Sequence, residues 1–528
     1  MRIARSAEIS LSGQGSGTVG RVRESDWPVE RDAAMTEPTG DPRGPSFSAT
    51  LGGGAWTVAE RVISQASQLI LFIAAARVLS PADFGVFALV STAALLLLRM
   101  SEVGWAPYIM SWSGDDQVPR QVVGVAVLTG LVAGLAAAGA SLSLQAFAVS
   151  QTVSHLLLWF SLWVVLATTS SAQKGMMIWR DGLKGSAIAE SIGEVVGMLV
   201  ALGALFAGAG VYALVFGRLS YQATHLTISF AVTRRAPLFG MERAELRRLG
   251  VYSAQIFSSR FVANLRLYVA TFLIGGFLGA ASVGYYRAAQ RLVGSIGEII
   301  GAPSQVLAWS MFRQARDAHG ARSTGFQRQA NLYFKLLFAV GIPVFIWLTL
   351  MGGDLIEGLL GHKWLPALPV VGVLALARAL ALPAAAVEPI LSLSGEIRRL
   401  PIFSLAFLLL AVVLTAAGAT FGLVAVAWSQ VAVAGLSLLG SNWLLSRHGG
   451  IDWRQILREA RQLVGPILLG SLVLLWAREA APFQALPPLL RAIAVALPAG
   501  LVYGLGLTAS DPWLRRFALS RLRRSDGI

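Results

Sequence analysis

The chain has 528 residues, 55% of them hydrophobic and only 13% charged, with a mean hydropathy of +0.64 and a formal net charge of +15. Soluble domains carry roughly a quarter of their residues charged, so this composition excludes a water-soluble globular protein and describes a polytopic membrane protein. There is no cysteine, which also excludes disulfides, thiolate nucleophiles and Cys-ligated metals.

Residues 1–50 are polar, mixed in charge and rich in Gly, Pro and Ser. They read as a disordered tail, with no apolar core of the kind a secretory signal needs. Their "GQGSG" has no strand or helix beside it, so it reads as linker rather than as a phosphate loop. From about Ala55 onward, apolar runs of bilayer-spanning length, about 20 residues each, recur to the end. The pattern predicts fourteen spans, at 55–79, 82–104, 119–140, 154–174, 185–207, 210–232, 249–276, 280–311, 329–351, 366–392, 400–417, 420–445, 462–478 and 488–509.

Basic residues in short loops stay on the cytoplasmic side. One set of loops holds Lys174, Arg180, Lys184, Arg234, Arg235, Arg243, Arg247, Arg248, Arg313, Arg316, Arg322 and Arg328, and the C-terminal segment adds Arg515 to Arg524. The other set holds only Lys363 and Arg478. Both termini are therefore expected in the cytoplasm. The same distribution accounts for a pI near 10.9 without a basic patch for nucleic acid.

The chain also repeats itself. A shift of 199 positions pairs Leu79 with Leu278, Asp83 with Ser282, Gly85 with Gly284, Phe87 with Tyr286, Arg61 with Arg260 and Gln65 with Asn264. Each copy reads as a helix, a tight turn and a second helix: Ser80 and Pro81 stop the first, Asp83 caps the second, and the paired glycines admit close helix approach. The expected fold is all-α, with two pseudo-symmetric six-helix lobes (51–235 and 236–446) related by an axis along the membrane normal, then two more helices and a basic end at 447–528.

"RVLSPADFGVFALVSTAALLLLRMSEVGWAPYIM" and "GFLGAASVGYYRAAQRLVGSIGEIIGAPSQVLAWSMFRQARD" resemble the opening hairpins of the two halves of the polysaccharide-transporter family, the Wzx-type flippases of the multidrug/oligosaccharidyl-lipid/polysaccharide (MOP) exporter superfamily. The resemblance covers roughly residues 50–445. It implies two lobes around a central cavity that opens alternately to each face and carries an undecaprenyl-diphosphate-linked oligosaccharide outward across the bacterial inner membrane. It also implies membrane lipids as surroundings, a polysaccharide polymerase or export machinery as partners, and no cofactor.

The residues themselves bear on that expectation. No HExxH, G-x-S-x-G or Walker loop is present, the five histidines lie singly without metal-ligand spacing, and the outward loops are short, which argues against a membrane glycan ligase. A charge inside the bilayer costs several kcal/mol, roughly 2.5–3.5 on insertion scales, so buried charges mark a cavity or a partner. Candidates for a cavity that holds a diphosphate are Arg61, Arg260, Arg266, Arg287 and Arg291, because guanidinium binds phosphate oxygens bidentately. Arg260 and Arg266 are six residues apart, about 240° around a helix, so one of them points elsewhere. Arg287, Arg291 and Glu298 share one face. Arg99, Lys335 and Arg378 are further cations within spans.

Candidates for ion pairing or energy coupling are Glu60, Glu190, Glu194, Glu298 and Glu388. Glu190 and Glu194, one turn apart, can share a proton or pair with a cation such as Arg218. Glu388 lies between Pro383 and Pro389 on a helix expected to kink. A basic cavity disfavours a multidrug exporter of the same superfamily, which needs acidic and aromatic groups for cations. A lipid II flippase remains the alternative cargo.

Overall fold

The computed structural model describes residues 47–510 apart from 103, 148, 149 and 182, and side chains from 56 onward apart from 57, 181 and 255–267. Of the tail expected at 1–50, residues 1–46 lie outside the described residues, and 47–50 open helix α1 instead of belonging to a disordered segment. The chain continues as helices α1 (Phe47–Val78), α2 (Pro81–Ser101), α3 (Trp105–Ser111), α4 (Gln117–Ala146), α5 (Gln151–Asp181), α6 (Leu183–Phe206), α7 (Tyr212–Thr233), α8 (Arg243–His319) and α9 (Thr324–Leu355). There follow α10 (Leu368–Ala381), α11 (Val387–Leu393), α12 (Leu400–Ala419), α13 (Leu423–Leu444), α14 (Trp453–Ala460), α15 (Val464–Glu479), α16 (Ala481–Gln484) and α17 (Pro488–Ser510). Helices satisfy every backbone polar group within the segment, which is what a chain solvated by lipid requires.

Among the described residues, twelve helical stretches are long and apolar enough to cross a membrane, against the fourteen expected. The two missing from that count have distinct causes. Span 210–232 is present as α7, but Arg218, Gln222 and His225 make it polar. Span 249–276 falls in α8, where the side chains of 255–267 are outside the described residues.

The first hairpin forms as its sequence dictates, with one correction. Ser80, not Asp83, caps α2: its hydroxyl oxygen accepts from the Asp83 backbone N–H at 3.1 Å, and Ser80 Oγ donates to Asp83 Oδ2 at 2.6 Å. Pro81 supplies the preset φ of the first helical position. The second hairpin breaks at Gly279, whose φ of 80° and ψ of 175° interrupt α8. That conformation favours glycine, which lacks a Cβ.

Two groups of helices result. In the N-terminal half α4 packs on α5, α6 on α7 and α5 on α7; in the C-terminal half α10 packs on α13 and α9, and α12 on α13. The halves meet chiefly through α2 and α8. Lipid supplies no hydrophobic drive between helices, so close packing and polar bonds hold them. The final pair docks on α9 through such bonds: Arg491 pairs with Asp354, Trp347 Nε1 donates to the Ala492 carbonyl at 3.0 Å, and the Tyr503 hydroxyl donates to the Ala339 carbonyl at 2.6 Å. The kink expected near Glu388 is a 3₁₀ turn at Leu382–Ala386, started by Pro383.

Candidate functional site

A cavity of about 720 Å³ lies between the halves, walled by α1, α2, α6, α7, α8 and α10. Among the described residues five arginines line it, Arg61, Arg218, Arg287, Arg291 and Arg378, with two glutamates, Glu194 and Glu298. Among the α1 residues that line the cavity, exposure falls from the Arg61 side chain at 65% to Phe72 at 8%, so the cavity opens at the Arg61 end and narrows toward the turn between α1 and α2.

The turn end is sealed. Trp364, fully buried, donates from Nε1 to the Ala76 carbonyl at 2.8 Å, and its ring meets Phe84 at 5.5 Å and Tyr285 at 6.1 Å. Phe72 stacks edge-on against Phe84 at 5.8 Å. Lys363 Nζ donates to the carbonyls of Arg77 at 2.9 Å and Leu79 at 2.7 Å, and Arg77 donates to the carbonyls of Leu359 at 2.9 Å and of Gly358. Apart from the Phe72–Phe84 pair, which lies within the first hairpin, and the Trp364–Tyr285 contact, which lies within the C-terminal half, all of these ties join that hairpin to the C-terminal half.

The arginines within are held by neutral partners. Arg287 donates to Thr92 Oγ1 at 2.8 Å and to Gln290 Oε1 at 3.0 Å. Arg291 donates to Gln68 Oε1 at 3.3 Å. Arg218 stands 5.8 Å from the centre of the Trp163 ring, a cation–π contact. Among the described residues none of Arg218, Arg287 and Arg378 has a carboxylate within ion-pair distance. Glu194 makes no direct ion pair with them: its Oε1 accepts from Ser64 Oγ and Gln68 Nε2, both at 3.1 Å. Arg61 pairs with Glu298 at 3.6 Å across the cavity mouth, where both side chains are mostly exposed and water weakens the pair.

The structure thus brings Arg61, Arg287, Arg291, Glu194 and Glu298 to one cavity. Arg260 and Arg266 have side chains outside the described residues. Glu190 lines a second cavity in the N-terminal half, paired with Lys174 at 2.5 Å rather than with Arg218. Glu60 is half-buried and Glu388 exposed, and neither lines either of these two cavities. Arg99 pairs with Glu102 at 2.7 Å, and Lys335 donates to Gln462 at 2.9 Å, away from the central cavity. The sequence offered Arg218 only as a partner for glutamates. Its place in the weakest apolar span was the available signal that it faces polar space.

Of the five guanidiniums only Arg61 has a carboxylate within ion-pair distance among the described residues, and four guanidiniums without one, in low dielectric, have the chemistry to pair with an anion. The chain's sequence and fold match known proteins. The family described as polysaccharide biosynthesis protein matches residues 74–369. The succinoglycan biosynthesis transport protein ExoT of Rhizobium meliloti (strain 1021) is 21% identical over 79% of this chain and 84% of its own, and the teichuronic acid biosynthesis protein TuaB of Bacillus subtilis (strain 168) is 26% identical over 46% and 50%. The fold is that of the lipid II flippase MurJ in an inward closed conformation, with TM-score 0.65 and 14% identity over 87% of this chain and 99% of that one. An inward-facing multidrug resistance transporter of the MOP superfamily follows at TM-score 0.56 and 14% identity, over 74% and 98%.

Proposed function

Because the chain belongs to the polysaccharide biosynthesis protein family, as a multi-pass MOP-type flippase, we propose that it carries undecaprenyl-diphosphate-linked oligosaccharides outward by alternating access. The cargo is a repeat unit of O-antigen, capsule or exopolysaccharide, and the membrane is the bacterial inner membrane with both termini cytoplasmic. The single observation that carries this reading is the set of cavity arginines with neutral partners, Arg218, Arg287 and Arg291. An uncompensated guanidinium away from water is costly and is retained where it meets a charged ligand. A diphosphate supplies several oxygens for bidentate, charge-assisted hydrogen bonds. A cationic drug would meet repulsion in the same place.

With the termini cytoplasmic, the sealed turn end faces outward and the Arg61 end faces the cytoplasm, where the lipid-linked unit is made. The cargo enters at that mouth and its diphosphate reaches Arg287 and Arg291. Rocking of the halves then breaks the ties of Arg77, Lys363 and Trp364 and closes the cavity on the Arg61 side. The protein moves its cargo without altering it. Lipid II also carries a diphosphate, and the family membership favours a polysaccharide unit over it.

Binding to the purified protein tests this reading. Undecaprenyl diphosphate is expected to bind at least about tenfold more tightly than undecaprenol, a difference of about 1.4 kcal/mol, and to lose that preference in Arg287→Ala. Equal binding of both lipids, or tighter binding of a cationic amphiphile, overturns it.

A further inference from the structure

The N-terminal half holds a second cavity of about 350 Å³, whose lining includes Lys174 from α5, Glu190 from α6, and Tyr221, Gln222 and His225 from α7. Glu190 is its centre. Its Oε1 accepts from Lys174 Nζ at 2.5 Å and its Oε2 from the Tyr221 hydroxyl at 2.6 Å. His225 is 1% exposed; its Nδ1 lies 2.5 Å from Ser170 Oγ, while its Nε2 has no hydrogen-bond partner among the described residues and stands 3.9 Å from Glu190 Oε1. Tyr221 and Gln222 also line the central cavity, so the two share a wall.

We propose that His225 and Glu190 form a proton-binding site, and that its occupancy sets the position of the α7 wall of the central cavity. A neutral imidazole has room for one more proton at whichever nitrogen is bare, and both then carry N–H. The Nε2–H bond points toward Glu190 Oε1, where it competes with the Lys174 ammonium. Lys174, 40% exposed, turns toward water, and the tie between α5 and α6 gives way to a second tie between α7 and α6 beside that of Tyr221. Tyr221, bonded to the same carboxylate, moves with it at the shared wall. No covalent bond breaks; the proton passes from water to the imidazole.

The other charges around the cluster set the balance. Arg99 of α2 and Glu102, which follows its end, line the same cavity as a pair at 2.7 Å, Glu60 of α1 acts electrostatically on Glu190 and Lys174, and Glu194 lies one turn further along α6. Sodium does not suit the site. The ammonium of Lys174 already occupies the cation position on Glu190, and among the described residues no three His, Cys, Asp or Glu side chains gather to hold a metal.

The role of this site in transport rests on the function proposed above, but its test needs no cargo. Hydrogen exchange of the intact chain in lipid nanodiscs is followed from about pH 5 to 8, the range of an imidazole. Amide protection in α5, α6 and α7 is expected to change in one titration step. His225→Asn, which keeps a hydrogen-bonding group for Ser170, is expected to lose the step. Lys174→Gln, which removes the competing cation, is expected to keep it and move it to higher pH. Exchange of NaCl for choline chloride at constant ionic strength is expected to change nothing. No step in the unaltered protein, a step that survives His225→Asn, or protection that follows sodium overturns the proposal. Failure of the cargo-binding test leaves these outcomes readable, because none involves a lipid-linked glycan.

Discussion

A side chain on Gly85 would collide with the backbone carbonyl oxygen of Ala280, and one on Gly284 would collide with that of Pro81. The shift of 199 residues carries each of these pairs onto the other. The repeat is thus expressed as one contact made twice, each hairpin pressing its turn against the other's glycine, and it holds the halves together at the sealed end. Gly85→Ala or Gly284→Ala forces the hairpins apart. Overpacking of this kind costs about 1–3 kcal/mol, so thermal unfolding in detergent is expected at lower temperature for either variant. Gly276→Ala, with nothing near its Cβ position, is the control expected to leave it almost unchanged.

Arg287 is held in the central cavity by Thr92 and Gln290 rather than by a carboxylate. Hydrogen bonds to charged groups are worth about 1.5–3 kcal/mol, so Arg287→Ala is expected to lower glycan export roughly tenfold or more. Arg287→Lys keeps the charge but not the bidentate fork, and is expected to fall between. Membrane abundance of both variants should match that of the unaltered protein. Export measured per molecule of transporter checks the ranking.

Trp364 fills the junction between the first hairpin and the C-terminal half, fully buried against Phe84 and Tyr285. Truncating a buried tryptophan costs about 3–5 kcal/mol, and here the loss falls on the sealed state. Trp364→Ala is expected to shift the population toward one open at the turn end. A cysteine placed at Ala88, which lines the cavity, should then label faster with an impermeant reagent added from outside the cell than in the Trp364 background.

Asp354 and Arg491 tie α17 to α9. Asp354→Asn preserves shape and leaves Arg491 without its countercharge. Breaking a buried pair from one side costs about 3–5 kcal/mol, so detachment of the last helices is expected as faster proteolysis near 480–488. Adding Arg491→Met should restore most of the protection, whereas a purely polar requirement at 354 would leave the double variant as weak as the single.

Much of this architecture was legible in the sequence. Hydropathy placed most of the helices, and the internal offset placed Gly85 and Gly284 at close approaches before any coordinates. Two elements escaped because they depend on contacts distant in sequence. Lys174 read as a cytoplasmic loop charge, but α5 continues to Asp181 and turns that ammonium onto Glu190. Arg77 and Lys363, at or near the outward loops, gave no sign that they bond backbone carbonyls across the halves. Arg218 and Arg378 were visible as charges within spans, yet a one-dimensional pattern does not say which face of a helix meets the cavity; packing decides that.

The most direct test of the central claim is the leaflet on which the lipid-linked oligosaccharide resides, read by its accessibility to an impermeant glycan-cleaving enzyme in spheroplasts. The comparison is between cells with the intact protein, a deletion, and the Arg287→Ala, Arg291→Ala double variant at equal membrane abundance. The account predicts that intermediates reach the outer leaflet only with the intact protein and accumulate inside in both mutants. Normal outward delivery in the deletion, or in the double variant, would contradict it.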